Sequence, residues 1–212
     1  MKFPAYFDQV PRLRVLDPLA AALGCAEGGV LEYGYDDVVR LTGHSCPTVA
    51  ASYWLTWRAL NELYGDEFPQ RGGIRVELRN DARVGSTGVV ASVVQMLTGA
   101  AGGSGFKGIA GRFARVGLQR YSPDLPLAMR FTRLDNGQAV DAEADLDMLP
   151  LAEPLQAVLA RWDAGQLTED DLPRLGRLWH ERVSTLLLAC AYDPGVFRLR
   201  RAAPRRWPRI AS

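Results

Sequence analysis

The stretch "LAMRFTRLDNGQAVDAEA", residues 127–144, decides the class of fold. Two strand-like runs flank Asp135-Asn136-Gly137, and an Asx-Gly pair between such runs is a strong short-range hairpin signal. Upstream, "RFARVGLQRY" (112–121) reads as a further strand. "GIRVELRN" (73–80) alternates Ile74, Val76 and Leu78 with arginines and Glu77, the pattern of a half-buried strand. The last third turns helical, in "EPLQAVLARWDAG" (153–165) and "TEDDLPRLGRLWHERVSTLLLACA" (168–191). The second of these opens on Thr168 with acids in its first turn. Helices and strands mixed, then antiparallel strands, then a helical hairpin give an α+β fold rather than a doubly wound one. The expectation is a mixed or antiparallel sheet packed on helices.

The first third supplies the helices for that sheet. Asp17-Pro18 before "LAAALG" predicts a short capped helix ending near Gly24, and "VLEYGY" (30–35) predicts a strand. "DDVVRL" (36–41) is a helical turn or two that stops at Gly43. Pro47 then opens a long helix running to Gly65, with Val49, Tyr53, Trp54, Trp57, Leu60 and Leu63 at helical spacing. Its Ala50-Ala51-Ser52 patch allows another backbone to approach closely, and Trp54 and Trp57 read as core. "VGSTGVVASVVQMLTG" (84–99) is rich in valine, but Val90, Val93, Val94 and Leu97 share a helical face and Gly99 offers a C-cap. A glycine loop, "AAGGSGFKG" (100–108), follows.

Composition excludes several classes of function. The 212 residues carry 25 Lys and Arg against 24 Asp and Glu, a net charge of +1, so no general attraction to nucleic acid or acidic membranes is expected. Six arginines of the C-terminal "FRLRRAAPRRWPRIAS" read as a solvated or subunit-docking tail in preference to a nucleic-acid arm. Three scattered cysteines, Cys25, Cys46 and Cys190, make no disulfide framework. Cys25 and Cys190 flank apolar stretches and read as buried small hydrophobes. With no apolar leader and no apolar run of membrane-spanning length, a cytoplasmic protein is expected.

The chemistry concentrates in "LTGHSCPTV", residues 41–49, where one of two histidines stands two positions from a cysteine. In a bend, residues i and i+2 can both point inward and share a metal ion. Zinc takes about four ligands at about 2.0–2.3 Å, and imidazole and thiolate both suit it. Asp81, Cys25 and His180, a water, or a group from a second copy of the chain are the candidates to complete such a set. A second reading is thiol chemistry, with Cys46 at a helix N-terminus and His44 as its base. A third makes His44 and Cys46 structural. Arg79 and Arg83, flanking Asn80-Asp81, have the chemistry to grip a carboxylate or phosphate. Haem ligation through His44 or Cys46 is a further option, though no Cys-x-x-Cys-His is present for covalent attachment.

Several short motifs occur together in order. They are Gly43-His44-Ser45-Cys46-Pro47, then Asn80-Asp81 at a strand end, then Gln95, Leu97, Thr98 and Gly99 closing a helix, then Gly103 and Gly105 in a loop. Over about residues 35–135 this series resembles the FmdE family, which takes its name from a component of formylmethanofuran dehydrogenase. The resemblance implies a small α+β domain, homodimeric, binding a metal ion, commonly zinc, through the His and Cys of the turn. Asp81 is then the favoured third ligand, because the family places that strand end near the turn. Departures from the pattern are also plain. The family's helix cysteine falls near Val89, its helix aspartate near Ser92 and its loop lysine at Ser104, and no zinc ribbon follows.

The expected organisation is an FmdE-like domain over 1–145, a helical hairpin packed on it over 146–195, and an arginine-rich tail over 196–212. The expected function is metal binding in an accessory or carrier role in redox or metal-enzyme metabolism. A metal- or cysteine-dependent enzyme acting on a small molecule is the alternative. A haem or other small-ligand binding module is the second alternative.

Overall fold

The computed structural model describes residues 2–204, and in it the 127–144 hairpin lies at the centre of the sheet. Its strands, β5 (Met129–Arg133) and β6 (Ala139–Ala144), pair antiparallel with Phe131 opposite Val140. The turn is longer than a two-residue one. Only Gly137 takes positive φ (+75°), while the Asp135 carboxylate accepts the amide of Asn136 at 2.9 Å.

On one side of the hairpin, β3 (Ile74–Leu78) pairs antiparallel with β5 and parallel with β4 (Gln119–Tyr121). On the other side, β7 (Phe197–Ala202) pairs antiparallel with β6, giving the mixed order β4-β3-β5-β6-β7. Two expectations are corrected here. Residues 112–118 of the expected strand are loop, because Phe113 and Gly117 take positive φ and cannot continue a ladder. Residues 197–202, expected in the solvated tail, are an edge strand. Phe197 is buried in the core while Arg198 and Arg200 face the acids of β6. The remaining tail arginines, Arg205, Arg206 and Arg209, lie outside the described residues.

One face of this sheet carries Ile74, Val76, Leu78, Phe131, Val140 and Phe197 into the core, against α3 (Pro47–Tyr64) and α4 (Thr87–Thr98). Trp54 and Tyr53 of α3 are fully buried, and Trp57 stacks on Trp54 at 5.0 Å between ring centroids. The opposite face alternates charge across all five strands in one register: Arg120, Glu77, Arg130, Asp141, Arg200. Arg130 grips Asp141 with two hydrogen bonds, at 2.6 and 2.9 Å.

The N-terminal part forms a second, two-stranded antiparallel sheet of β1 (Leu13–Leu16) and β2 (Val30–Tyr33), with the short helix α1 (Pro18–Ala22) between them. Asp17 caps α1 as expected, accepting the amides of Leu19 and Ala20. Helix α2 (Tyr35–Thr42) leads into α3. At the other end of the chain, α5 (Glu153–Asp163) and α6 (Leu172–Ser184) pair through Leu155, Val158, Leu175 and Leu178. Trp179 joins this small cluster to the main core. The whole is α+β, and among the described residues no helix is long and apolar enough to cross a membrane.

Candidate functional site

The His44-Ser45-Cys46 turn joins α2 to α3, and its shape follows from the residues at each end. Gly43 closes α2 with φ +75°, returning its amide to Val39 at 2.8 Å. Cys46 then opens α3 as its N-cap, its sulfur accepting the Val49 amide at 3.5 Å. Pro47 occupies the first helical position, where no intrahelical amide is needed.

The exposed His44 ring folds back so that Nδ1 lies 3.0 Å from the Thr42 carbonyl oxygen. A carbonyl only accepts, so Nδ1 carries the proton. In the neutral ring Nε2 therefore keeps its lone pair, the tautomer used by metal-ligating histidines with a backbone carbonyl behind them.

Ser45 anchors the turn to two other parts of the chain. Its hydroxyl meets the Tyr35 hydroxyl at 2.8 Å, and its carbonyl accepts the Trp179 indole N–H at 2.7 Å, which pins α6 to the turn. One residue along α6, the Nδ1 atom of His180 meets the Tyr6 hydroxyl at 2.9 Å. Burial pushes Tyr6 up to about 12 against a small opposing pull from Ser45, and it raises Tyr35 as well. Burial also lowers His180. The wall behind the turn is thus neutral near pH 7, a network of uncharged hydroxyl, imidazole and indole groups.

The structure gives the other candidate residues separate employment. Asp81 is exposed at the end of β3, its carboxylate held by the Arg83 side chain at 2.9 Å and the Arg83 amide at 3.1 Å. Arg79 is tied to Glu143 at 2.9 Å. Asn80, next to Asp81, does reach the first turns of α3 and α4, lining a small cavity with Thr48, Ser52 and Thr87. His180 is near the turn through Trp179 and Tyr6. Cys25, expected to be buried, is exposed just beyond α1, because Gly24 (φ +66°) turns the chain outward there. Cys190 is half-buried against the core, as its apolar flanks suggest. Among the described residues no three His, Cys, Asp or Glu side chains gather closely enough to hold a metal ion. The turn itself offers two donor side chains, the exposed His44 ring and the half-buried Cys46 sulfur.

A groove of about 470 Å³ lies against the turn on the α5–α6 side, lined by His44, Ser45, Leu159, Trp162, Leu175 and Trp179. Its walls are apolar apart from the turn and Asp163 at the rim. The sequence reading missed Tyr6, Tyr35 and Trp179 as neighbours of the turn. Tyr6 and Trp179 stand 39 and 134 positions from Ser45, and nothing in their local patterns distinguishes them from core aromatics.

These features define an α+β protein with a His-x-Cys turn, its histidine exposed and its cysteine half-buried, backed by a neutral aromatic wall. No family model matches the sequence, and no curated protein matches it. Among solved structures, the chain is similar to a tungsten formylmethanofuran dehydrogenase FmdE-like protein from Syntrophus aciditrophicus. That likeness has 15% identity and a TM-score of 0.43, over 82% of this chain and 74% of that one.

Proposed function

We propose that this protein binds one divalent metal ion, zinc by preference, at the His44-Ser45-Cys46 turn and serves as a metal-binding accessory or carrier. The observation that carries this reading is the 3.0 Å contact between His44 Nδ1 and the Thr42 carbonyl, which makes Nε2 the lone-pair nitrogen of the neutral ring. Imidazole nitrogen and cysteine sulfur suit zinc, and a four-ligand ion held by two side chains keeps positions open to exchange. Water, a small molecule or a second copy of the chain fills those positions. Asp81 joins them on leaving Arg83, and Arg79 and Arg83 stand at the same strand end to receive an anionic ligand. An ion held by so few of the chain's own groups exchanges readily, which suits carriage better than permanent structure.

Metal analysis of untagged protein by mass spectrometry tests this. About one zinc per chain is expected after equilibration with zinc and desalting, and none in His44→Ala or Cys46→Ser. A folded wild-type protein that retains no zinc, cobalt or nickel overturns it. The groove supports a second reading, a small-ligand binding module, because it exposes Trp162 (53% accessible) beside the turn. Quenching of tryptophan fluorescence by an apolar ligand in metal-free protein, abolished in Trp162→Ala, identifies that case.

A further inference from the structure

A second polar site lies far from the turn in sequence, at the junction of α1 with the loops before β3 and β4. Its centre is Asp17, whose carboxylate is 4% exposed and accepts four donors. These are the amides of Leu19 (2.9 Å) and Ala20 (3.2 Å), Arg71 Nη1 (2.8 Å) and Arg115 Nη2 (2.6 Å). Arg71 is fixed further by its Nε and Nη2 atoms, which donate to the Met96 carbonyl at 3.1 and 3.0 Å. Arg115 is 8% exposed and reaches Asp17 through a slot that only glycine permits. A Cβ at Gly72 would overlap its Nη1, and one at Gly99 would lie 3.0 Å from the same atom.

The charges do not balance. One carboxylate serves two guanidinium groups, and the pocket that opens beside them, about 340 Å³, is also lined by Arg112. No acid lines that pocket among the described residues, so three arginines face it with one carboxylate behind them. Donors are in surplus as well. A guanidinium has five N–H groups. Arg115 spends them on one acceptor among the described residues, and Arg112 only stacks over Phe113, at 4.9 Å from the ring centroid. The loop bearing Arg112 is strained. Ala110 and Phe113, the two non-glycine residues with positive φ among those described, both lie in it (+48° and +64°). Such backbone costs about 1–3 kcal/mol per residue and tends to persist where surrounding structure has a use for it.

We propose that this pocket binds a small phosphate-class oxyanion between the guanidinium groups of Arg71, Arg112 and Arg115. Guanidinium forks match the oxygens of phosphate in pairs, and Arg71 and Arg115, already held by Asp17, lose little freedom on binding. The volume admits inorganic phosphate or a small phosphomonoester. Asp17 holds Arg71 and Arg115 in place without neutralising the site.

The test is calorimetric titration of the full chain with inorganic phosphate and with glycerol 3-phosphate at matched ionic strength. Arg112→Ala is the informative variant, since Arg112 is exposed and its loss leaves the Asp17 pairs intact. Arg177→Ala, an exposed residue of α6 that does not line the pocket, is the control. Wild type and Arg177→Ala are expected to bind one equivalent, and Arg112→Ala about tenfold more weakly, the loss expected for a charge-assisted pair. Tighter binding of the ester identifies a phosphomonoester as the ligand, and equal binding identifies the free ion. Equal affinity in Arg112→Ala and wild type, or no saturable binding to wild type by either probe, overturns the proposal.

Discussion

The His44 turn and the Asp17 cluster are the two places where this chain concentrates polar chemistry, and they are built in opposite ways. The turn is contiguous, with His44 exposed and Cys46 half-buried, and each of these two side chains makes one described hydrogen bond, within or next to the turn. The cluster gathers Asp17, Arg71 and Arg115 from across 98 positions, buries the carboxylate and leaves no acceptor on it idle. A site meant to exchange its occupant needs accessible lone pairs and few internal commitments. A site meant to hold its geometry needs the reverse. The comparison therefore predicts that the cluster carries stability and that the turn carries almost none.

The largest effect is expected from Asp17→Ala. It leaves two guanidinium groups facing each other in a buried site and removes the cap of α1. Removing one partner of a buried pair costs about 3–5 kcal/mol. Urea unfolding at pH 7 checks this, and a loss under about 1 kcal/mol would erase the distinction between the two regions. Gly72→Ala comes next. The substitution strains a residue at φ +80° and drives a methyl group into Arg115, so a loss of more than about 1 kcal/mol is expected.

The cluster also has a signature in acid. Burial alone would raise the Asp17 carboxyl, but the Arg71 hydrogen bond, the Arg115 charge and the Ala20 amide outweigh it and hold the group below its usual range. A carboxyl whose folded pKa is lowered contributes stability above its unfolded value, near about 3.9, and loses that contribution as pH falls toward the folded value. Unfolding free energies measured from about pH 6 down to about pH 2.5 should fall more steeply for wild type than for Asp17→Asn. Parallel curves would mean that the carboxylate gains nothing from its arginines. His180 adds a term of the same sign at higher pH. Burial lowers its folded pKa, so its contribution is present above about 6.5 and is lost as pH falls below that.

The two regions differ equally in what could be read without coordinates. Helix α3 was legible from Pro47 to Gly65, because proline, a repeating apolar face and a terminal glycine are all local signals. The hairpin was legible for the same reason, and His44 and Cys46 drew notice because they are neighbours. The third ligand was a different matter. Asp81 sits on the expected strand end, but its carboxylate bonds two residues onward to Arg83, a choice between local partners that sequence does not reveal. Strand β7 was hidden by its arginines, although "FRL" alternates as an edge strand should. Its charges are matched by Glu143 and Asp141, which lie more than 50 positions away. The Asp17 cluster was invisible beyond its capping role, since nothing local marks Arg71 and Arg115 among the many arginines of this chain.

The smallest effect should come from the turn itself. Cys46→Ser keeps an N-cap acceptor at α3, and serine caps a helix at least as well as most residues, so the lost packing of the sulfur is the main cost. His44→Ala removes an exposed ring whose single described hydrogen bond lies within the turn. In metal-free protein each variant should fall within about 1 kcal/mol of wild type, as surface changes do. The same two substitutions are expected to abolish zinc retention. Both outcomes together are informative in a way that neither is alone. A residue that can be removed without harm to the fold, but not without loss of the ion, is there for the ion. If His44→Ala instead lowers stability of the metal-free protein by several kcal/mol, the turn is a structural clasp like the Asp17 cluster, and the contrast between the two regions disappears.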